Sequence, residues 1–329
     1  MPEIDCLLAG VSFRIAAGKP ILDALPCFGT SFHSMHPDVC IVFTGISRKN
    51  LELDSPMEHS GLLSSFLMPP FIGSCVQTIP LMLSPAQSHS LADILSRGTE
   101  AFSVPLLTVP AVLDHIRKCL DHASEVLLIL HALTVEIRDF REHRIDVFYI
   151  DEIESILYSE FAFEAYRRMF SMFLPDFGSL IVHSSAVRRR DKVMLFLAAD
   201  EGGKSTAAGL SSEGKILSDD RNVLKRNGDG FSVHPTPWGK ICNLEVSAPL
   251  GGLFLLEKAD TFSLEPLDPR VLVYFLWEDN RPFWDHLPVA RRTKVLDLLI
   301  AASRSVPVYR MRFPKEYIDW TALDKAVAD

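Results

Sequence analysis

Residues 198–205 indicate phosphate binding, because their types and order match a phosphate-binding loop at every position except the first. They read Ala-Ala-Asp-Glu-Gly-Gly-Lys-Ser, whereas the usual pattern is G-x-x-x-x-G-K-[ST]. Lys204 would reach the β- and γ-phosphates of a nucleotide, and the Ser205 hydroxyl would bind Mg²⁺. We therefore predict a nucleotide site whose members are Ala198, Asp200, Glu201, Gly202, Gly203, Lys204, Ser205 and Thr206.

The segments on either side of this loop favour the same interpretation. An apolar run, 193–199, precedes it and predicts a strand, and residues 205–210 suit the start of a helix. A strand, a loop and a helix in this order bring backbone N–H groups and a helix N-terminus together around an anion. The alternative is a glycine-rich turn between strand and helix that binds nothing.

Two acids follow the loop at the end of a short apolar strand, 215–218. They are Asp219 and Asp220. Adjacent residues of a strand point to opposite faces, so one acid can bind a metal while the other faces a hydroxyl nucleophile. We predict both as catalytic residues, with Asp219 joining Ser205 as a metal ligand. The alternative is a pair of solvated acids in a turn.

Three further elements surround these motifs. Residues 180–187 predict a strand that carries His183, which we include among the catalytic residues, although a core histidine is the simpler interpretation of that residue alone. Residues 222–234 predict a hairpin with a glycine-bearing turn. The segment His-Pro-Thr-Pro-Trp-Gly at 234–239 predicts a stiff loop.

Together these features resemble the C-terminal catalytic domain of HPr serine kinase, whose fold is related to phosphoenolpyruvate carboxykinases. The resemblance covers about residues 140–315 and includes His183, the 198–205 loop, Asp219-Asp220, the 234–239 loop and the segments 248–250 and 306–310. It implies ATP and Mg²⁺ at Lys204 and Ser205. It also implies that one of Asp219 and Asp220 is a general base, with His183 close to the phosphates.

The chain departs from that family in three ways. Ala198 replaces the first glycine, which costs about 1 kcal/mol if its φ is positive. The glycine-rich loop by which HPr kinases grip HPr has no equivalent, and the first half does not resemble their regulatory domain. The chain therefore looks like a divergent branch, and HPr itself is not the expected substrate.

Composition excludes several classes of protein. The net charge of −9 argues against a nucleic-acid-binding surface. No apolar run reaches the roughly 18 residues needed to span a bilayer, and the first residues lack the basic segment of a secretory signal. Six cysteines without a CxxC pair suit a reducing compartment. We expect a cytoplasmic protein.

The predicted fold is α/β, with a mixed sheet that carries the phosphate-binding loop. We divide the chain into a small β-rich N-terminal portion (1–54), a loop-rich insertion (55–110), a helical and αβ segment (111–179), the HPr kinase-like domain (180–315) and a C-terminal tail (316–329). The resemblance is compatible with a homo-oligomer.

A rival set of residues lies on a predicted helix at 110–122. His115, Cys119 and His122 share one face and suit Zn²⁺, with Glu125 as the nearest fourth ligand. An amphipathic helix that happens to carry these residues is the simpler interpretation. His33 and His36 form a similar pair, and we predict neither set as a metal site.

The function predicted from these observations is an ATP- and Mg²⁺-dependent kinase acting on a serine-like hydroxyl of a peptide or small molecule. One alternative is a nucleotide-binding scaffold or regulatory protein of the same fold that has lost turnover. Another is a metal-binding interaction protein that uses the His115 helix.

Overall fold

The computed structural model describes residues 3–16, 37–46, 79–83, 109–122, 126–130, 134–150, 169–211, 215–241, 247–285 and 287–328. They form two mixed β-sheets with accompanying helices, so the chain is a mixed α/β protein as predicted. The chain divides into two compact units. The first holds most of the chain up to Met169, and the second holds Phe170–Asp329 together with Leu7–Val11. The finer domain boundaries given above stay predictions.

Seven strands form the first sheet, in the order β1-β2-β3-β7-β6-β5-β4. The β2–β3 and β3–β7 pairs are parallel, and the strands from β7 to β4 pair antiparallel. The strands are β1 (Glu3–Leu8), β2 (Val11–Ala16), β3 (Val39–Ile46), β4 (Ile79–Leu83), β5 (Val126–Leu130), β6 (Thr134–Asp139) and β7 (Arg144–Ile150). Helix α1 (Pro110–His122) buries Val112, Ile116, Cys119 and Leu120.

The sequence predicted helix α1, and the β-branched and aromatic residues at 144–150 predict strand β7. Strands β4, β5 and β6 of this sheet were not predicted. Strand β5 is a continuous apolar run, and such a run shows no period by which a strand can be told from a helix. Strand β4 lies inside the predicted loop-rich insertion, 55–110. The sequence predicts a loop there because Pro80 interrupts the apolar residues of the strand. A proline is compatible with β4 because this strand lies at the sheet edge.

Eight strands form the second sheet, with seven in the order β10-β8-β11-β12-β13-β15-β14 and β9 paired to both β8 and β13. Strands β9, β13 and β15 run parallel, and the remaining pairs are antiparallel. The strands are β8 (Ser179–Arg189), β9 (Lys192–Leu197), β10 (Lys215–Ser218), β11 (Arg221–Asn227), β12 (Gly230–Pro235), β13 (Ala248–Lys258), β14 (Ser263–Pro266) and β15 (Val308–Phe313).

Four labelled helices accompany this sheet, together with the helical residues 169–173 and a 3₁₀ helix at Leu174–Phe177. The four are α2 (Lys204–Gly209), α3 (Pro269–Trp284), α4 (Val289–Ser305) and α5 (Trp320–Ala326). A buried cluster around Phe196, Phe254 and Met311 joins β9, β13 and β15. None of the helices in the described ranges is both long and apolar enough to cross a membrane.

Strand β8 brings the predicted site residues together, because it pairs with three other strands, β9, β10 and β11. Ser184 pairs with Leu197, the last residue of β9, and His183 pairs with Arg221, the first residue of β11. The end of β9, the middle of β8 and the start of β11 therefore meet at one place. The predicted phosphate-binding loop and the predicted acid pair are attached there.

Candidate functional site

The 198–205 segment leaves β9 as a tight loop and enters α2 at Lys204. The loop uses the left-handed backbone region twice, at Glu201 (φ +59°) and at Gly203 (φ +99°). A Cβ added at Gly203 would lie 3.1 Å from Cζ of Phe313, and one added at Gly202 would lie 2.9 Å from the carbonyl oxygen of Ala199. Gly203, the second glycine of the sequence pattern, and Gly202, which stands at a variable position of that pattern, are therefore both needed for this course of the backbone.

Ala198 occupies its position without the strain that the sequence left open. Among the described non-glycine residues, a positive φ occurs at Ala9, His143, Arg190 and Glu201, and Ala198 is not one of them. Its side chain is 3% exposed and belongs to the buried cluster under the sheet. The methyl group also occupies the space beside Gly202, where an added Cβ would lie only 2.4 Å from the Cβ of Ala198.

Gly202→Ala is expected to lower the free energy of unfolding by about 1–3 kcal/mol, the usual range for overpacking. Adding Ala198→Gly should recover part of this loss, because it removes the nearer of the two close contacts. Gly209→Ala is the control, since a Cβ there meets nothing within 4 Å. Denaturant unfolding of wild type and these variants measures the effect, and wild-type stability of Gly202→Ala would contradict this loop geometry.

Lys204 lies with its ammonium inside the loop. Its Nζ donates hydrogen bonds to the carbonyl oxygens of Ala198 (2.7 Å) and Ala199 (3.0 Å), and the residue is buried. Burial lowers the pKa of Lys204. The carboxylates of Asp279, Asp200 and Asp220 oppose this shift, which shows that the cation faces three acids.

His183 is the side chain around which these acids gather. Its Nε2 lies 3.2 Å from Oδ1 of Asp220 and 3.6 Å from Oδ1 of Asp200. Its Nδ1 lies 3.4 Å from Oδ2 of Asp279. Burial lowers the pKa of His183, but hydrogen bonds to Asp220 and Asp279 outweigh burial and the net pKa is raised. His183 is thus a buried, polar member of the site.

Arg221 and Lys204 supply positive charge close to these three acids. Both lower the pKa of His183, and Nε of Arg221 lies 3.8 Å from Oδ2 of Asp220. Burial lowers the pKa of Arg221 as well. Two cations and an imidazole therefore lie close to three carboxylates, of which Asp279 is mostly buried, Asp220 is 31% exposed and Asp200 lies at the surface with 92% of its side chain exposed.

The side chains of the acid pair diverge. Asp220 contacts His183, whereas Oδ1 of Asp219 accepts a hydrogen bond from the backbone N–H of Ile241 (3.0 Å). A Cβ added at Gly239 would lie 2.2 Å from this oxygen, so the 234–239 loop closes against Asp219. The Ser205 hydroxyl donates to the carbonyl oxygen of Asp219 at 3.3 Å. The predicted metal ligands Ser205 and Asp219 are therefore neighbours, through the backbone of Asp219.

A cleft of about 650 Å³ adjoins the loop on the side of α2. Its lining includes Glu201, Gly203, Thr206, Lys258, Phe313 and Lys315. Its volume lies within the usual range of small-molecule pockets. Its lining combines the Phe313 ring with two lysines and three acids, the acids being Glu201, Asp260 and Glu316.

Asp279 is the member of this site that the sequence analysis did not identify. It lies on α3, where Leu272, Leu276, Asn280 and Trp284 are buried at intervals of four residues. The sequence feature that could have identified Asp279 is its position next to the buried face of a helix. However, the sequence does not show which strand that helix packs against. The structure sets Asp279 beside His183.

The raised pKa of His183 predicts a pH-dependent contribution to stability. A group whose folded-state pKa exceeds its ordinary value of 6.5 stabilises the fold below 6.5 and loses that contribution as the pH rises through the raised value. The stability difference between wild type and His183→Gln should therefore shrink as the pH rises above 6.5. Denaturant unfolding across this range measures it. A difference that does not change with pH would contradict the assignment.

Comparisons with known proteins add the following findings. A family model described as SynChlorMet cassette protein ScmC matches residues 165–328, just under half of the chain. The solved structure of the HPr(Ser) kinase/phosphatase from Coxiella burnetii is 11% identical, with 41% of this chain and 78% of that chain covered and a TM-score of 0.23. No curated protein matches the sequence.

Proposed function

We propose that this chain is an ATP- and Mg²⁺-dependent kinase that transfers the γ-phosphoryl group to a hydroxyl of a peptide or small molecule. One observation carries the proposal: Lys204 and its loop open onto the same end of β9 as His183 and Asp220. Phosphoryl transfer depends mainly on positioning and charge neutralisation, and such a cluster of cations and acids beside an anion-binding loop supplies both.

The loop and Lys204 would hold the phosphates. On binding, Nζ of Lys204 would exchange the carbonyl oxygens of Ala198 and Ala199 for β- and γ-phosphate oxygens. The cleft beside Gly203 and Thr206 has room for the nucleoside. Lys258 and Lys315 on its lining would oppose the charge of the phosphates.

Ser205 and Asp219 fit Mg²⁺ by the chemistry of their donors, since this ion takes hard oxygen ligands and bridges protein carboxylates to phosphates. The Ser205 hydroxyl already lies against the backbone of Asp219. Bound Mg²⁺ would neutralise charge on the β- and γ-phosphates. The site needs that neutralisation, because Asp200, Asp220 and Asp279 would otherwise repel a triphosphate.

Asp220 is the residue that we assign as general base. Its side chain is 31% exposed, so an acceptor hydroxyl can reach it, while His183 and Arg221 hold its two oxygens from the buried side. Asp220 would take the proton of the acceptor hydroxyl. At the same time the hydroxyl oxygen would bond to the γ-phosphorus, and the bond between that phosphorus and the ADP oxygen would break. The acceptor would then leave as a phosphate monoester.

Turnover is favoured over a nucleotide-binding scaffold by the conformation of Ala198. A strained alanine at 198 was the feature of the sequence that spoke against catalysis, and Ala198 is buried without a positive φ. Both functions share the nucleotide site, so they are separated by turnover rather than by binding.

Calorimetric titration of the full chain with ATP, with and without Mg²⁺, tests the proposal. We expect binding that depends on Mg²⁺ and is much weaker for AMP, which lacks the phosphates that Lys204 would contact. Phosphate transfer from labelled ATP to serine-containing peptides and to sugars then identifies the acceptor class. The absence of ATP binding overturns the proposal, and binding without any turnover supports the scaffold instead.

A further inference from the structure

A separate group of metal-ligating side chains lies in the first unit, on α1 and β7. One donor atom each from His115, Cys119 and Asp146 lies within 4.8 Å of the other two. The sequence had grouped His115 and Cys119 with His122, but His122 is exposed and Asp146 takes its place. Glu125, His33 and His36, the other candidates considered, lie outside the described residues.

The imidazole of His115 and the carboxylate of Asp146 are close together but are not aligned as a hydrogen-bonded pair. Nε2 of His115 lies 2.9 Å from Oδ2 of Asp146, and Nε2 is buried. The contact falls outside the directional criteria of a hydrogen bond, although interaction with Asp146, and after it with Cys119, raises the pKa of His115 to about 9. Two ligand atoms that are close together but not aligned with each other are what we expect when both point toward a common third position.

Neighbouring residues hold both side chains in place. Arg144 donates from Nε to Oδ2 of Asp146 (2.8 Å) and from a terminal nitrogen to Oδ1 (2.7 Å). The ring of Phe148 meets that of His115 edge to face, with centroids 5.5 Å apart. Outer contacts of this kind fix ligand orientation in metal sites and leave lone pairs of the carboxylate free for the ion.

We propose that His115, Cys119 and Asp146 bind a zinc-type divalent cation, with the fourth coordination position left to water. A thiolate, an imidazole and a carboxylate form a ligand set that suits Zn²⁺, and the thiolate disfavours Mg²⁺ and Ca²⁺. Three protein ligands and one open position are typical of zinc ions that activate a bound molecule.

Charge and access agree with this assignment. One thiolate and one carboxylate balance a divalent ion, and Arg144 orients the carboxylate by donating a hydrogen bond to each of its oxygens. Cys119 and Asp146 are buried, whereas the His115 side chain is 30% exposed and leaves a path for the ion from solvent. The proposal is independent of the kinase proposal, since it uses none of the residues on β8, β9 or α3.

Titration of the chelator-treated full chain with Co²⁺ and Zn²⁺ tests the site. We expect one ion per chain and a near-ultraviolet thiolate-to-cobalt charge-transfer band that Cys119→Ser abolishes. His115→Ala and Asp146→Asn should weaken Zn²⁺ binding by more than about 100-fold, and Arg144→Gln by about 10–100-fold, as for an outer-shell partner. The matched control, His122→Ala on the same helix, should bind as wild type does.

Zn²⁺ should also raise the melting temperature of wild type but not of Cys119→Ser, because a ligand that binds only the folded state stabilises it. Circular dichroism verifies that each variant is folded. Absence of the charge-transfer band in wild type overturns the proposal without recourse to any variant, and so does its persistence in Cys119→Ser. In either case the three residues and Arg144 form an ion-pair network only.

Discussion

The Asp220→Asn variant is expected to lose about 10²–10⁴-fold in phosphoryl transfer, the range found when a general base is removed. Asparagine keeps the shape of the side chain but cannot take a proton from the acceptor hydroxyl. Because Asp220 contacts His183 and Arg221 rather than the loop amides, the affinity for Mg²⁺·ATP should remain close to that of wild type. Initial rates with the identified acceptor, together with calorimetry, separate these two effects.

Asp229→Asn provides the matched control for this prediction. Asp229 is exposed in the turn between β11 and β12, so its replacement should leave both rate and affinity unchanged. Wild-type turnover in Asp220→Asn would show that Asp220 is a structural partner of His183 and Arg221 and not the general base. An equal loss of rate and of nucleotide affinity would instead place Asp220 among the nucleotide ligands.

Lys204→Met should weaken Mg²⁺·ATP binding by more than about tenfold. A hydrogen bond to a charged group contributes about 1.5–3 kcal/mol, and about 1.4 kcal/mol already corresponds to tenfold in affinity. Methionine preserves most of the length and apolar volume of a side chain that is 7% exposed, so the fold should be retained. Calorimetric titration measures the change in affinity directly.

Lys215→Met is the corresponding control, since Lys215 is exposed at the start of β10. It removes the same charge from the chain without touching the loop. If Lys204→Met and Lys215→Met bind Mg²⁺·ATP equally well, the lysine does not contact phosphate. The 198–205 segment would then be a structural turn.

Features set by neighbouring residues along the chain could be predicted from the sequence. The strand before residue 198, the helix after it, the hairpin of β11 and β12, helix α1 and strand β7 all depend on local patterns of apolar residues and turns. The glycine at 203 also follows from the motif, and the structure gives a steric reason both for it and for Gly202, which the motif leaves variable.

Features set by packing between distant segments could not be predicted. Asp279 reaches His183 because α3 packs on β8, and Asp146 joins His115 because α1 lies against β7. In both cases the sequence supplied one partner and the tertiary fold supplied the other. The motif predicts a Lys204 that reaches outward to phosphate, but the Lys204 ammonium bonds to carbonyls of its own loop, since a buried cation must find acceptors.

The contact between Ala198 and Gly202 has an evolutionary consequence. A methyl group at 202 would lie 2.4 Å from the Cβ of Ala198 and 2.9 Å from the carbonyl oxygen of Ala199, and only the first of these contacts depends on the residue at 198. The effect of a substitution at 202 therefore depends on which residue already stands at 198, which is epistasis between two sites in one loop. A side chain at 202 is less costly after Ala198→Gly than before it, so the order in which the two substitutions occur matters.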